Sequence, residues 1–162
     1  SHPKEIAFFD RGPLDSTRLR TAGSWSAYWY NGVIVSSEIA RGLDIYELVA
    51  NGLITQNELD AAKTVKVGYW NTQDQQRFVW PPSFALARAY LDQLERSKGL
   101  APEAIASART ALATAEKRSG AQRKTALTEL ASQLNTASAS AGDQAKVRTL
   151  STAVTDLANA QH

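Results

Sequence analysis

The chain has no cysteine, no methionine and no large excess of charge of either sign. The absence of cysteine excludes disulfides, thiolate nucleophiles and cysteine-ligated metals. No apolar run approaches the roughly 18 residues that a membrane-spanning helix needs. The 18 basic and 16 acidic side chains leave a net charge of +2, and the basic residues are scattered. We therefore expect no nucleic-acid partner, because phosphate backbones are bound by concentrated basic surfaces.

Motifs for common catalytic and metal sites are also missing. The sequence contains no Gly-x-Ser-x-Gly elbow, no P-loop and no Gly-x-Gly-x-x-Gly fingerprint. His2 and His162 stand at the chain ends without metal-ligand or triad neighbours. Asp10, Asp15 and Asp44 could supply oxygen ligands to calcium, but they lack the spacing of a calcium-binding loop. We therefore predict no catalytic residue, no metal site and no cofactor.

The composition changes sharply at Pro81-Pro82. All four tryptophans precede this pair, whereas alanine is the commonest residue after it. The first part is typical of strands and loops, and the second is typical of helices. We predict an α+β chain with a small antiparallel β-meander over residues 1–52, a short helix and aromatic linker over 53–82, and a helical hairpin or bundle over 83–162.

The aromatic segment 24–49 carries the clearest strand signals. Asn31-Gly32 favours a hairpin, because a type I′ turn needs positive φ at both of its central residues. So many large side chains cannot all be solvated, and the sheet therefore needs a surface to pack against. The strands are predicted at Glu5–Phe9, 26–30, 33–39 and 43–48.

Helix signals dominate the second half of the chain. Ser83 is a predicted N-cap, and Gly99 is predicted at the C′ position of the same helix. Short loops favour antiparallel neighbours, so we expect a helical hairpin or three-helix bundle over 100–162. The helix at 83–98 either joins that bundle or bridges it to the sheet. Further helix-start signals are the capping box of Thr55 and Glu58, Pro102 at N1 and Asp143 as an N-cap.

Two groups of residues in the predicted sheet are candidates for binding. The charged group is Glu38, Arg41 and Asp44, which could line a binding mouth or hold a cation. The alternative, which we favour, is a structural network of ion pairs and turn contacts. The aromatic group could stack on sugars, but neighbours in a strand point to opposite faces, so at least one face is favoured as core. Its members are Trp25, Tyr28, Trp29 and Tyr30.

Several segments resemble one protein family. Gly42 followed by Leu43-Asp44-Ile45-Tyr46-Glu47 resembles the LVIVD repeat, one strand of each blade in a family of bacterial and archaeal surface-type β-propellers. Residues 1–9 resemble the segment that follows this repeat. Residues 28–44 resemble the last blade, and residues 78–94 resemble the helical extension that follows that blade. The resemblance implies a secreted or cell-surface bacterial protein.

The resemblance also implies that the chain is a C-terminal fragment. A propeller needs several blades, usually four to eight, and this sequence holds one incomplete blade. Residues 5–9 would be the outer strand of the penultimate blade, and residues 26–48 would be the inner strands of the last. The implied partners are the remaining blades of the same protein or a partner chain. Self-association through open sheet edges is the alternative.

From these observations we expect a non-enzymatic interaction or structural protein. Two alternatives stay open at this point. The chain could be the accessory part of a propeller enzyme whose catalytic residues lie in missing blades. It could also be a carbohydrate-binding module that uses exposed aromatic side chains.

Overall fold

A computed structural model describes residues 3–160, so His2 and His162 lie outside the described residues. The chain divides into two compact units, Ser1–Val79 and Trp80–His162. We call them the β unit and the helical unit. Within the described residues, the β unit holds three strands and one α-helix, and the helical unit holds four α-helices. The predicted α+β class is confirmed.

The sheet is an antiparallel meander in the order β1-β2-β3. Asn31 and Gly32 have φ angles of 51° and 99°, which a type I′ turn requires and which few residues other than asparagine and glycine adopt. The predicted hairpin is therefore confirmed, with strand ends shifted by a few residues. The strands are β1 (Ser24–Tyr30), β2 (Val33–Glu38) and β3 (Gly42–Tyr46).

The strand predicted at Glu5–Phe9 is wrong. This segment pairs with no strand in the part of the chain that the structure describes. Side chains hold it beside the chain that follows β3: Asn51 Nδ2 donates to the Ile6 carbonyl at 2.9 Å. Four consecutive apolar residues favoured a strand, but the segment has no ladder of backbone hydrogen bonds to make it one.

Strand pairing distributes the side chains over two faces. A β-bulge at Trp25 shifts the register between Ser24 and Ser26. As a result Ser24 lies on the same face as Ser36, and their hydroxyl oxygens are 2.7 Å apart. We define the inner face of the sheet as the one formed by Ser24, Ala27, Trp29, Ile34, Ser36, Glu38, Asp44 and Tyr46. The opposite, outer face is formed by Ser26, Tyr28, Tyr30, Val33, Val35, Ser37, Leu43 and Ile45.

The rest of the β unit folds back on the hairpin. Helix α1 (Gln56–Thr64) starts with the predicted capping box, in which Thr55 and Glu58 each satisfy a backbone N–H of the other. The linker after α1 then packs through aromatic rings. Phe78 stacks on Trp70 at a centroid distance of 4.6 Å and meets Trp29 edge-on at 5.2 Å.

The helical unit is a four-helix bundle. Helices α3 and α4 pack on their chain neighbours, and α2 also packs on α5, which closes the ring. The first helix therefore joins the bundle, which has one helix more than the three predicted over 100–162. The helices are α2 (Phe84–Ser97), α3 (Pro102–Glu116), α4 (Gly120–Ser138) and α5 (Gln144–Asn159).

The bundle core is made of narrow leucine, valine and alanine stripes. These side chains repeat at three- and four-residue steps, so each helix buries one side. Ser83 and Asp143 cap α2 and α5 as predicted. No helix within residues 3–160 is both long enough and apolar enough to cross a membrane. The largest side chains of the core that are shielded from water are Leu91, Leu94, Leu112, Leu127, Val147, Leu150, Val154 and Leu157.

The end of α2 differs from the prediction. Lys98, not Gly99, takes the left-handed conformation, with φ of 54°. Gly99 serves close approach instead: its carbonyl accepts a hydrogen bond from the Asp143 amide at 2.9 Å. A Cβ on Gly99 would lie 2.8 Å from the Cβ of Asp143 and 3.0 Å from Leu94 Cδ2. The glycine therefore allows the end of α2 to meet the start of α5.

We predict that Gly99→Ala destabilises the helical unit by about 1 to 3 kcal/mol, because the new methyl group displaces the cap of α5. Urea unfolding followed by helical circular dichroism would measure the change. Gly52→Ala is the matched control, since its Cβ would meet no atom within 4 Å. Equal midpoints for the two variants would contradict the close-approach role of Gly99.

Candidate functional site

The extended segment 6–13, which we call the strap, lies over the inner face and forms a cleft with it. The polar end of the cleft has a volume of about 290 Å³ and includes Glu38, Arg41 and Asp44. The apolar end has a volume of about 400 Å³ and is lined largely by Phe8, Ala27, Ile34 and other apolar groups. Residues shared by both ends are Phe9, Ser24 and Tyr46.

Glu38 is the most buried charged side chain of the cleft, with 8% of its surface exposed. Its two carboxylate oxygens accept hydrogen bonds from the amides of Gly23 at 2.6 Å and Ala40 at 2.8 Å, and from the amide of Arg41. The Gly23 bond, with help from the other two, lowers the pKa of Glu38 below its ordinary value, although burial acts in the opposite direction. Glu38 is therefore an ionised acceptor that fixes the β2–β3 turn.

Asp44 joins the strap to β3. Its Oδ1 accepts a hydrogen bond from Arg11 Nη1 at 2.5 Å, and its Oδ2 accepts one from the Tyr46 hydroxyl at 2.8 Å. The bond to Asp44 raises the pKa of Tyr46, because loss of the phenolic proton would place two negative charges together. Both oxygens of Asp44 therefore contact donors of the chain itself.

Arg41 completes the attachment of the strap. Its guanidinium donates to the carbonyls of Gly12 and Pro13, each at 3.3 Å. Asp10 Oδ1 accepts from the Gly12 amide at 2.7 Å, which fixes the bend beside these carbonyls. The three predicted charged residues thus come together, and their contacts are those of a structural network of ion pairs and turns.

Asp10, Asp15 and Asp44, the candidate calcium ligands, do not form a common metal site. Asp15 caps its own turn, because Oδ1 accepts from the Thr17 amide at 2.8 Å and the Thr17 hydroxyl at 2.7 Å. Within residues 3–160 no three acidic, histidine or cysteine side chains are grouped as metal ligands.

The four predicted aromatic residues do not form one platform. Trp25 projects from the β-bulge and is 78% exposed, and Tyr28 is exposed on the outer face. Trp29 packs against Phe78, and the Tyr30 hydroxyl donates to the Val67 carbonyl at 3.2 Å. Two of the four therefore hold the linker, and the other two face solvent.

Sequence reasoning missed Arg11, Phe9 and Tyr46 as members of the site. Arg11 lies 33 residues from Asp44 in the chain, so no local spacing links the pair. The ring centroids of Phe9 and Tyr46 are 4.9 Å apart across a similar separation. The available signal was the bend at Asp10-Arg11-Gly12-Pro13, which placed a cation next to a chain reversal.

The charged groups of the cleft form hydrogen bonds within the chain itself. Its carboxylates accept hydrogen bonds from backbone or side-chain donors, and Arg11 and Arg41 donate within the chain. The chain matches no protein-family model, no curated protein and no solved structure. The likeness to LVIVD-repeat propellers stays a prediction.

We predict that acid weakens the β2–β3 turn only when the pH falls below 4.5, the ordinary pKa of a glutamate carboxyl group. The pKa of Glu38 is lower in the folded state than in the unfolded state. Its contribution to stability is therefore complete above the unfolded-state pKa and is lost as the pH falls through the folded-state pKa. NMR titration of the Gly23 and Ala40 amide signals would follow this change. We expect their midpoints to lie below pH 4.5.

Two variants test whether Glu38 is the group that causes the Gly23 and Ala40 amide signals to titrate. Glu38→Gln removes the titration and speeds amide exchange at Gly23 and Ala40, because its NH₂ group faces backbone donors. Glu47→Gln is the control, since Glu47 is an exposed carboxylate that pairs with Lys63 at 2.5 Å. If the Gly23 signal still titrates in Glu38→Gln, another group controls the turn.

Proposed function

We propose that the protein is a non-enzymatic interaction protein, secreted or at a bacterial cell surface, whose sheet docks against another β-sheet. In its specific form, the sheet is the last blade of an LVIVD-type propeller, and the other blades are its partner. The observation that carries the proposal is the exposed apolar surface of the outer face. Leu43 and Ile45 are 63% and 64% exposed there, and Tyr28 is exposed on the same face.

The helical unit buries its large apolar side chains much more completely than the β unit does. Large apolar side chains in the helices after residue 83 are buried or half-buried. In the β unit, many remain open to water. A chain that can close one core completely and leaves apolar groups exposed in the other supports a binding role for the exposed set. The exposed apolar residues of its strands and the loop after them are Trp25, Tyr28, Leu43, Ile45 and Val49.

The sheet carries apolar side chains on both faces, which supports a position between two neighbours. A sheet with one solvated face alternates apolar and polar side chains. Here β2 carries Val33 and Val35 on the outer face and Ile34 on the inner face. Propeller blades pack on a neighbour at each face, and their pattern is of this kind. The strap covers part of the inner face, and within residues 3–160 the sheet contains three strands.

The chemistry of the cleft supports a non-enzymatic role. Glu38 and Asp44 bind donors of the chain, and the arrangement fixes a turn and a strap. Such a network stabilises a shape. It would suit a protein that presents a surface.

We predict that Ile45→Lys weakens docking of the partner by about tenfold or more, because a central apolar contact is replaced by a charge. Under the proposal, the coding sequence before the codon for Ser1 encodes further blades, each with a glycine followed by an LVIVD-like strand. That polypeptide would be co-expressed with this chain, and the affinity of the purified partners would be measured by calorimetry.

Leu19→Lys is the matched control, because Leu19 is fully exposed in a loop of the same unit. Equal losses for the two variants would argue against the outer face as the contact. Absence of blade repeats, or absence of a complex with them, would remove the propeller proposal. A complex that this chain forms with itself at similar strength would indicate self-association through the sheet instead.

Carbohydrate binding is a second candidate, favoured by the exposed indole of Trp25 at the β-bulge. Exposed aromatic rings stack on the apolar faces of sugars. We predict that a bound glycan changes tryptophan fluorescence in the parent chain and not in Trp25→Ala. A broad glycan panel that leaves the parent fluorescence unchanged would count against this candidate.

A further inference from the structure

The strap follows β3 in the antiparallel direction. As residue numbers rise along the strap, the numbers of its contacts fall along β3 and the segment after it. These contacts span the whole strap, so it is placed along its length and not at one point. In strap order, the contact pairs are Ile6–Asn51, Phe9–Tyr46, Arg11–Asp44 and Gly12–Arg41.

Side chains make every one of these contacts. Within the described residues, the sheet contains β1, β2 and β3 and no strand from the strap. A strand that belongs to a sheet is held by a ladder of backbone hydrogen bonds, and the strap has none of that kind. Its attachment depends on guanidinium groups: Arg11 binds a carboxylate, and Arg41 binds strap carbonyls.

The strap itself buries little apolar surface. Phe8 is 85% exposed and Phe9 is 63% exposed, although both line the apolar end of the cleft. Hydrophobic burial therefore contributes little to holding the strap down. The polar contacts of Arg11 and Arg41 decide whether it stays closed.

We infer that the strap is a releasable cover of the inner face, closed by Arg11 on Asp44 and by Arg41 on the strap carbonyls. Opening further exposes the half-buried side chains of Ile34 and Tyr46, which line the cleft with the strap. The inner face then becomes a second docking surface for a β-sheet, while the outer face is open at all times. What enters the opened cleft rests on the proposed function. The opening itself is a property of this chain.

Cleavage by chymotrypsin after Phe8 or Phe9 measures the opening on the full chain. Although these two rings are exposed, the protease must also bind the flanking residues, and Ile6 and Arg11 are attached in the closed state. When opening and closing are fast relative to cleavage, the rate follows the open population. We expect Arg11→Ala to raise this rate about twofold to fivefold, which is the range for an exposed ion pair. The Arg11→Ala/Arg41→Ala double variant should cleave faster still. About 1 M sodium chloride should raise the rate in the parent chain more than in Arg11→Ala, because salt screens the ion pair.

Arg88→Ala is the matched control, because Arg88 forms an ion pair with Glu116 within the helical unit, and neither residue belongs to the strap or its cleft. Its strap cleavage rate should equal that of the parent. Equal rates in Arg11→Ala and Arg88→Ala would overturn the inference. A parallel rise in cleavage at Trp29 or Tyr30 would also overturn it, since the sheet and not the strap would then have opened.

A second measurement separates this inference from the proposed function. Partner affinity would be measured with the parent and with Arg11→Ala. Tighter binding by Arg11→Ala, together with faster strap cleavage, supports a cover that the partner displaces. Faster cleavage without any partner binding leaves the strap established and removes the docking function. Faster cleavage with unchanged partner affinity overturns the role of the strap as a cover for docking.

Discussion

One carboxylate joins the start of β1 to the turn between β2 and β3. Glu38 accepts amide hydrogen bonds from the residue before β1 and from the turn between β2 and β3. That turn points the guanidinium of Arg41 at the strap carbonyls. The next strand then brings Asp44 to Arg11. Glu38 therefore fixes the turn that carries Arg41, and the Arg11–Asp44 pair holds the strap beside that turn.

The two units solve the problem of apolar surface in different ways. Each helix of the bundle turns one narrow stripe inward, and four helices close around the stripes. The sheet has apolar groups on both faces and only three strands, so its own chain cannot cover them all. Exposure in the β unit is thus a consequence of geometry. A flat layer has two faces to cover, whereas a helix has one side.

The sequence predicted correctly those features that depend on interactions between residues close together in the chain. The Asn31-Gly32 turn, the capping box at Thr55 and the cap at Asp143 each act within a few residues, and each was found. Sequence reasoning failed where distant segments meet. The strap, the closure of α2 onto α5 and the close approach at Gly99 depend on contacts across tens of residues. The charged cluster was predicted as residues, but its partner Arg11 was not, because periodicity carries no information about tertiary neighbours.

The contact between Gly99 and Asp143 has one more consequence for the helical unit. It sets the end of α2 against the start of α5, so the start of α2 and the end of α5 lie together at the opposite end of the bundle. An even number of antiparallel helices returns the chain to where it entered. Both termini of this bundle therefore lie at one end of it, opposite the contact between Gly99 and Asp143.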